Sequence, residues 1–166
     1  MPIITLTTDL GTVDHYVSAV KATIIRQLEN VNIIDISHDI PTFNIIHAAF
    51  VLKNVYQDFP SGTIHIIGVN TETDKDCSHL IVYANEHYFI GSDNGIFSLI
   101  LDLKPDKIFE ITTTSDSDNE NFPIKDIFTK SACHIARGGT LEIIGTEIKQ
   151  FSKEFAKLEA LHKKNS

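Results

Sequence analysis

The apolar positions of the first 36 residues change period twice. Ile3-Ile4-Thr5-Leu6-Thr7-Thr8 is a short β-branched run that breaks at Asp9-Leu10-Gly11-Thr12, which predicts a strand followed by a loop. From Tyr16 onward Val17, Val20, Ile24, Ile25 and Leu28 recur at helical spacing, Asn30 marks a stop, and Asn32–Ile36 reads as a second strand. A strand, helix and strand in so short a stretch require a crossover and a parallel pairing. The pattern then repeats with variations. Asn44 to Tyr56 predicts an amphipathic helix, and Gly62 to Val69 predicts a strand with almost no charge, buried on both faces. Leu80–Ala84 and His87–Gly91 read as a hairpin, Asp93-Asn94-Gly95 as a turn, Ile96 to Leu101 as an apolar element and Ile108 to Thr112 as a strand. The acidic stretch Thr113 to Asn121 reads as a surface loop, and Phe122 to Ala136 as a helix that Arg137-Gly138-Gly139 ends. A last helix is expected over Lys149–Lys164, with Phe151, Phe155, Leu158 and Leu161 on one stripe.

This alternation predicts an α/β fold: a three-layer sandwich with a mostly parallel central sheet over residues 1–148, then an amphipathic C-terminal helix over 149–166. Open sheets of this kind hold small ligands at the carboxyl ends of their strands. Three polar clusters fall at those ends: Asp9 to His15, Ser37-His38-Asp39, and Asn70 to His79. Two readings stand for Asp9 and Asp14. A carboxylate at a strand end accepts two hydrogen bonds from a ribose diol; equally, Asp14 caps the next helix and Asp9 steadies a turn. Phe43, after Pro41-Thr42, either stacks on a base or packs a core edge. His38, Asp39 and His47 lack zinc spacing, so no metal is expected. Glu72, Asp74, Lys75, Asp76 and His79 offer acid and base groups in one loop, or form a solvated charge run.

Composition narrows the partners. With 166 residues and 42% apolar content, one sizeable core is expected. A net charge of -8, and only two arginines, Arg26 and Arg137, argue against nucleic acid or an anionic membrane as partner. Cys77 and Cys133 cannot supply a disulfide framework. No apolar stretch approaches the roughly 18 residues of a membrane span, and Met1-Pro2-Ile3-Ile4-Thr5 lacks a basic leader, so cytoplasmic residence is expected. A Gly-rich phosphate cradle and a nucleophile elbow are both missing from the sequence.

The segment Thr5 to Val17, with Lys21 a few residues on, resembles the opening of the S-adenosylmethionine hydroxide adenosyltransferase family, relatives of fluorinase and chlorinase. Asp35-Ile36-Ser37-His38-Asp39-Ile40-Pro41, Phe59-Pro60-Ser61-Gly62-Thr63-Ile64-His65, Gly91-Ser92-Asp93-Asn94-Gly95-Ile96 and Asp126-Ile127-Phe128 with Ala132 to Ala136 are similar to further family blocks in the same order. The resemblance implies a domain that binds S-adenosylmethionine as substrate, with no other cofactor and no metal. Water or hydroxide would attack ribose C5′, giving adenosine and L-methionine. It places Asp9 on the ribose hydroxyls, Asp14 on the methionine amino group, and Phe43 as an aromatic wall.

The hydrolytic members hold the attacking oxygen with an Asp, an Arg and a His. In this sequence Asn70 stands for the Asp, Cys77 falls near the Arg, and Pro123 takes the place of the His. Asn70, Glu72 and His79 are therefore the expected catalytic groups, and Asp9, Asp14, Phe43 and Asn70 the expected substrate-binding groups. Family chains continue into a β-barrel domain that contributes adenine contacts across a trimer, which is not seen in this sequence. The alternative is a non-catalytic nucleoside-binding or assembly domain that kept the fold and lost the water-holding set. A homo-oligomer is expected from the apolar terminal stripe, and a trimer from the resemblance.

Overall fold

The computed structural model describes residues 1–71, 77–112 and 122–154. Its elements in chain order are β1 (Ile3–Thr8), α1 (Tyr16–Gln27), β2 (Asn32–Ser37), α2 (Ile45–Val55), β3 (Ile64–Gly68), β4 (His79–Ala84), β5 (His87–Ser92), α3 (Ile96–Ile100), β6 (Lys107–Ile111), a π-helical turn (Ile124–Phe128), α4 (Thr129–Ala136), α5 (Leu141–Ile144) and β7 (Gly145–Ile148). The strands form one sheet in the order β2-β1-β3-β5-β4-β6-β7. β1 lies parallel to β2 and β3, and β3 parallel to β5; β4 is antiparallel to both β5 and β6, and β7 antiparallel to β6. β1, β2, β3, β5 and β6 thus point the same way, and the two antiparallel strands lie beyond the half that carries the polar rim.

Two apolar layers cover the sheet. Val20 and Ile24 of α1, Leu28 just after it, and Phe128, Ala132 and Cys133 around α4 pack on Ile4, Leu6, Ile64 and Ile66. Ala48, Ala49 and Leu52 of α2 and Ile96, Phe97 and Ile100 of α3 pack on Ile67, Val82 and Phe89 of the opposite face. The fold is the expected α/β sandwich. β3 is buried along its whole length, as its uncharged sequence predicts.

The C-terminal part departs from the sequence reading. Leu141 to Ile148 forms a single helical turn and a four-residue edge strand, elements too short to show a period. Lys149 to Glu154 is irregular where a helix was expected. Phe151 stacks on Phe97 with ring centroids 5.5 Å apart, and the Ser152 N–H donates to Asp93 Oδ2 at 2.9 Å. Phe155, Leu158 and Leu161, the rest of the expected stripe, and the Thr113 to Asn121 stretch lie outside the described residues.

The strand order creates the site. The chain leaves β1 over α1 to reach β2 on one side, then crosses over α2 to β3 on the other side of β1. The loops after β1 and β3 therefore diverge, and a crevice opens between their carboxyl ends. At the opposite end of the sheet lies a buried polar cluster. His65 Nδ1 bonds Thr5 Oγ1 at 2.7 Å and His65 Nε2 bonds His87 Nδ1 at 3.1 Å, beneath the rings of Tyr56 and Phe89. Burial, with the neighbouring His87, holds His65 down at about 3, and burial also lowers His87 against the opposing pull of Glu86.

Below pH about 6.5 an unfolded histidine takes up a proton that folded His65 refuses. Stability is therefore level above that pH and falls as the pH drops from about 6.5 toward about 3. For His65 alone the loss between pH 7 and pH 5 is about 2 kcal/mol. Urea unfolding at the two pH values should show it, and a His65→Gln protein should have a shallower dependence; equal slopes would contradict this account.

Candidate functional site

Asp9 directly follows β1 and its amide donates to Gly68 O of β3 at 3.2 Å, so its side chain emerges at the crevice. Asp9 Oδ2 accepts two backbone hydrogen bonds, from Phe43 N–H and Asn70 N–H, each at 3.2 Å. Both donors hold left-handed backbone, Phe43 at φ 64° and Asn70 at φ 55°. Asparagine tolerates that region; phenylalanine rarely does, and the cost is on the order of 1–3 kcal/mol. Phe43 is pressed into it by a tight turn in which Asn44 N–H donates to Pro41 O at 2.9 Å while the Asn44 side chain caps α2 through His47 N–H at 2.9 Å. Asn70 is held by Asn94, whose side-chain amide donates to Val69 O at 3.2 Å and to Asn70 O at 3.4 Å.

A cavity of about 530 Å³ opens beside Asp9, lined by Leu10, Tyr16, Thr42, Phe43, Asn70, Thr71, Phe122 and Ile124 as well as Asp9 itself. Tyr16 and Phe122 meet edge to face, with centroids 5.6 Å apart. Ile124 belongs to the π-helical turn, and it reaches the cavity wall because residue 68 is glycine. A Cβ there would clash with Ile124 Cδ1. Among the described residues that line it, Asp9 alone has a charged side chain. An ionised carboxylate has about four acceptor positions; the two amides use two and leave two.

Next to Asp9 a second network runs from buried Thr8 and His38 out to half-exposed Asp35 and Lys21. His38, 6% exposed, bonds Thr8 Oγ1 through Nδ1 at 2.7 Å and Asp35 Oδ1 through Nε2 at 2.7 Å, while Lys21 Nζ donates to Asp35 Oδ2 at 2.6 Å. Burial pushes the Asp35 carboxyl up, but the hydrogen bonds from Lys21 and His38 outweigh it and hold it below its ordinary value.

The structure brings Asp9, Phe43 and Asn70 to one cavity wall and leaves Asp14 and His79 outside the lining. Asp14 is exposed; the cap of α1 is His15, without a side-chain hydrogen bond. His79 starts β4, two strands from β3, with its ring edge-on to Phe128 and Nδ1 bonded to Ser92 Oγ at 3.0 Å. Glu72, with Asp74, Lys75 and Asp76, lies outside the described residues. Cys77 and Pro123 do not line the cavity. The sequence reading missed Tyr16, Phe122 and the Thr8–His38–Asp35–Lys21 network. One signal pointed to the network: Asp35 precedes His38 by three residues at a strand end.

Residues 4–145 match the family model described as the SAM hydroxide adenosyltransferase N-terminal domain. A Methanocaldococcus jannaschii protein named (R)-S-adenosyl-L-methionine hydrolase is 33% identical over 134 residues, 77% of this chain and 51% of that protein. A Thermus thermophilus protein of the same name is 24% identical over 152 residues, 84% of this chain and 59% of that protein. A crystal structure of an uncharacterized conserved protein from Thermotoga maritima superposes with a TM-score of 0.83 at 29% identity, over 92% of this chain and 60% of that one. The chain thus spans half to three-fifths of the length of these relatives.

The strain at Phe43 yields a stability test. Phe43 is 57% exposed, so its replacement loses little packing. Phe43→Gly relieves the left-handed cost and should raise the unfolding free energy by about 1 kcal/mol in thermal or urea denaturation. A loss of stability of that size would mean that the turn at residue 43 is not strained.

Proposed function

The chain belongs to the SAM hydroxide adenosyltransferase family through its N-terminal domain, and on that premise we propose that the crevice between β1 and β3 binds S-adenosylmethionine or the adenosine derived from it, and that the family's hydrolysis is the reaction it serves. The observation that carries this reading is the pairing of one carboxylate, with two acceptor positions left, and a lining that among the described residues is otherwise uncharged and includes three aromatic rings. The ribose diol supplies two donors of the number that Asp9 can accept. The faces of Tyr16, Phe43 and Phe122 suit both a base and a sulfonium cation, which aromatic rings attract through their quadrupole.

In the reaction a water oxygen bonds to C5′ as the C5′–sulfur bond breaks. The bonding pair goes to sulfur, methionine leaves as a neutral thioether, and the attacking water gives up a proton to solvent. The chain's part is to fix the ribose at Asp9 and to hold the nucleophile opposite the sulfur in a pocket with little bulk water. Asn70, Thr42 and Thr71 are uncharged groups that hold a water by hydrogen bonding but do not take its proton at neutral pH. Among the described residues, that lining favours a second reading, a nucleoside-binding domain with little turnover. Each missing preorganised donor commonly costs a factor of about 100–1,000 in rate.

Calorimetric titration with S-adenosylmethionine and with adenosine, followed by chromatography of the mixtures, separates the readings. Steady adenosine formation above the protein-free control supports hydrolysis; binding without product supports the second reading; no binding of either ligand contradicts both. Asp9→Ala should weaken adenosine by about 1.5–3 kcal/mol, the scale of hydrogen bonds to a charged group. Unchanged affinity in a folded Asp9→Ala protein would remove Asp9 from the site.

A further inference from the structure

We propose that His38 is a positioning residue for Asp9, holding the Asp9–Gly11 loop by its ring through Thr8 and by its own backbone carbonyl. The proposal rests on the reading that Asp9 takes the ribose diol. The hydrogen-bond direction along the network follows from its ends. The Asp35 carboxylate only accepts, so His38 Nε2 carries the hydrogen at the 2.7 Å contact. In the neutral ring His38 Nδ1 is then an acceptor and takes the Thr8 hydroxyl hydrogen. Thr8 Oγ1, having donated, accepts the Leu10 N–H at 3.3 Å. The Gly11 N–H donates to the His38 backbone carbonyl at 2.7 Å.

Both amides that follow Asp9 therefore end on His38, one directly and one through Thr8. The amide of Asp9 itself is held on the other side by Gly68. With the backbone fixed on both sides, the carboxylate meets Phe43 N–H and Asn70 N–H with one oxygen, and its remaining acceptor positions keep a set direction. Lys21, at the far end, bonds Asp35 Oδ2 and so selects which Asp35 oxygen is left for the imidazole.

Lys21 also makes Asp35→Asn an informative substitution. The lysine ammonium demands an acceptor, so the amide oxygen of the variant turns to Lys21 and its NH₂ turns to His38. Nε2 must then accept, Nδ1 carries the hydrogen, and the whole chain inverts. Thr8 Oγ1 would face two donors, and its own hydrogen would lose its acceptor. Charge at the loop itself is unchanged.

The test measures the preference for adenosine over 2′,3′-dideoxyadenosine by calorimetry, in the wild-type protein and in Asp35→Asn, Thr8→Val, Thr8→Ser and the Asp35→Asn/Thr8→Val double variant. Positioning through this network predicts that Asp35→Asn and Thr8→Val each lower the preference about fivefold, the scale of one neutral hydrogen bond. Affinity for the dideoxy ligand should stay the same, Thr8→Ser should keep the preference, and the double variant should fall no further than Thr8→Val. An unchanged preference in Asp35→Asn, or an equal loss for both ligands, would overturn the proposal. A wild-type protein without any preference would instead remove the ribose reading. The positioning claim is then decided on the ligand-free protein by amide exchange. Faster exchange of the Phe43 and Asn70 amides in Asp35→Asn supports it and unchanged exchange overturns it.

Discussion

One carboxylate oxygen joins three parts of the chain that are remote in sequence. Asp9 Oδ2 receives the amides of Phe43, 34 residues later, and Asn70, 61 residues later, and both amides are presented by left-handed backbone. The strand order makes this meeting possible, because β1 lies between β2 and β3 and the loops that follow all three reach the same rim. Without the carboxylate, two amides at the crevice would lose a charged acceptor. The strain at Phe43 is consistent with a site whose geometry is held by the fold around it rather than by local preference.

The polar groups of the fold divide into two networks with different duties. The Thr5–His65–His87 cluster is deep, neutral and stacked among Tyr56 and Phe89, far from the carboxyl ends of the strands. It satisfies polar atoms inside the core, and its protonation is opposed by burial. The Thr8–His38–Asp35–Lys21 network reaches from the buried end of β1 to half-exposed Asp35 and Lys21, beside the cavity. Only the second connects to residues that line the site. The cavity itself owes its aromatic wall to two helix starts: Tyr16 opens α1, and Phe122 precedes the π-helical turn that sets Ile124 against Gly68.

Much of this was legible in the sequence. The change of period between Thr8 and Tyr16 located β1, the loop and α1, and the charge-free run around Ile66 marked a strand buried on both faces, because burial directly governs which residues a segment carries. Asp9, Phe43 and Asn70 were identified as candidates, and all three line one cavity. What the sequence did not disclose was tertiary. The contact between Tyr16 and Phe122 spans more than one hundred residues, the left-handed turn at Phe43 has no glycine to announce it, and the edge strand after Gly145 is too short to carry a pattern. Lys149 to Glu154 was misread because Phe151 follows a helical spacing but is used instead to dock on Phe97.

The central claim is that Asp9 offers its remaining acceptor positions to a nucleoside ribose. A crystal structure of the protein soaked with adenosine tests it most directly. The account predicts both ribose hydroxyls within hydrogen-bond distance of the Asp9 carboxylate, the base against Phe43, Tyr16 or Phe122, and the Phe43 and Asn70 amides still on Oδ2. Adenosine bound elsewhere on the molecule, or in the cavity with its ribose turned away from Asp9, would contradict it.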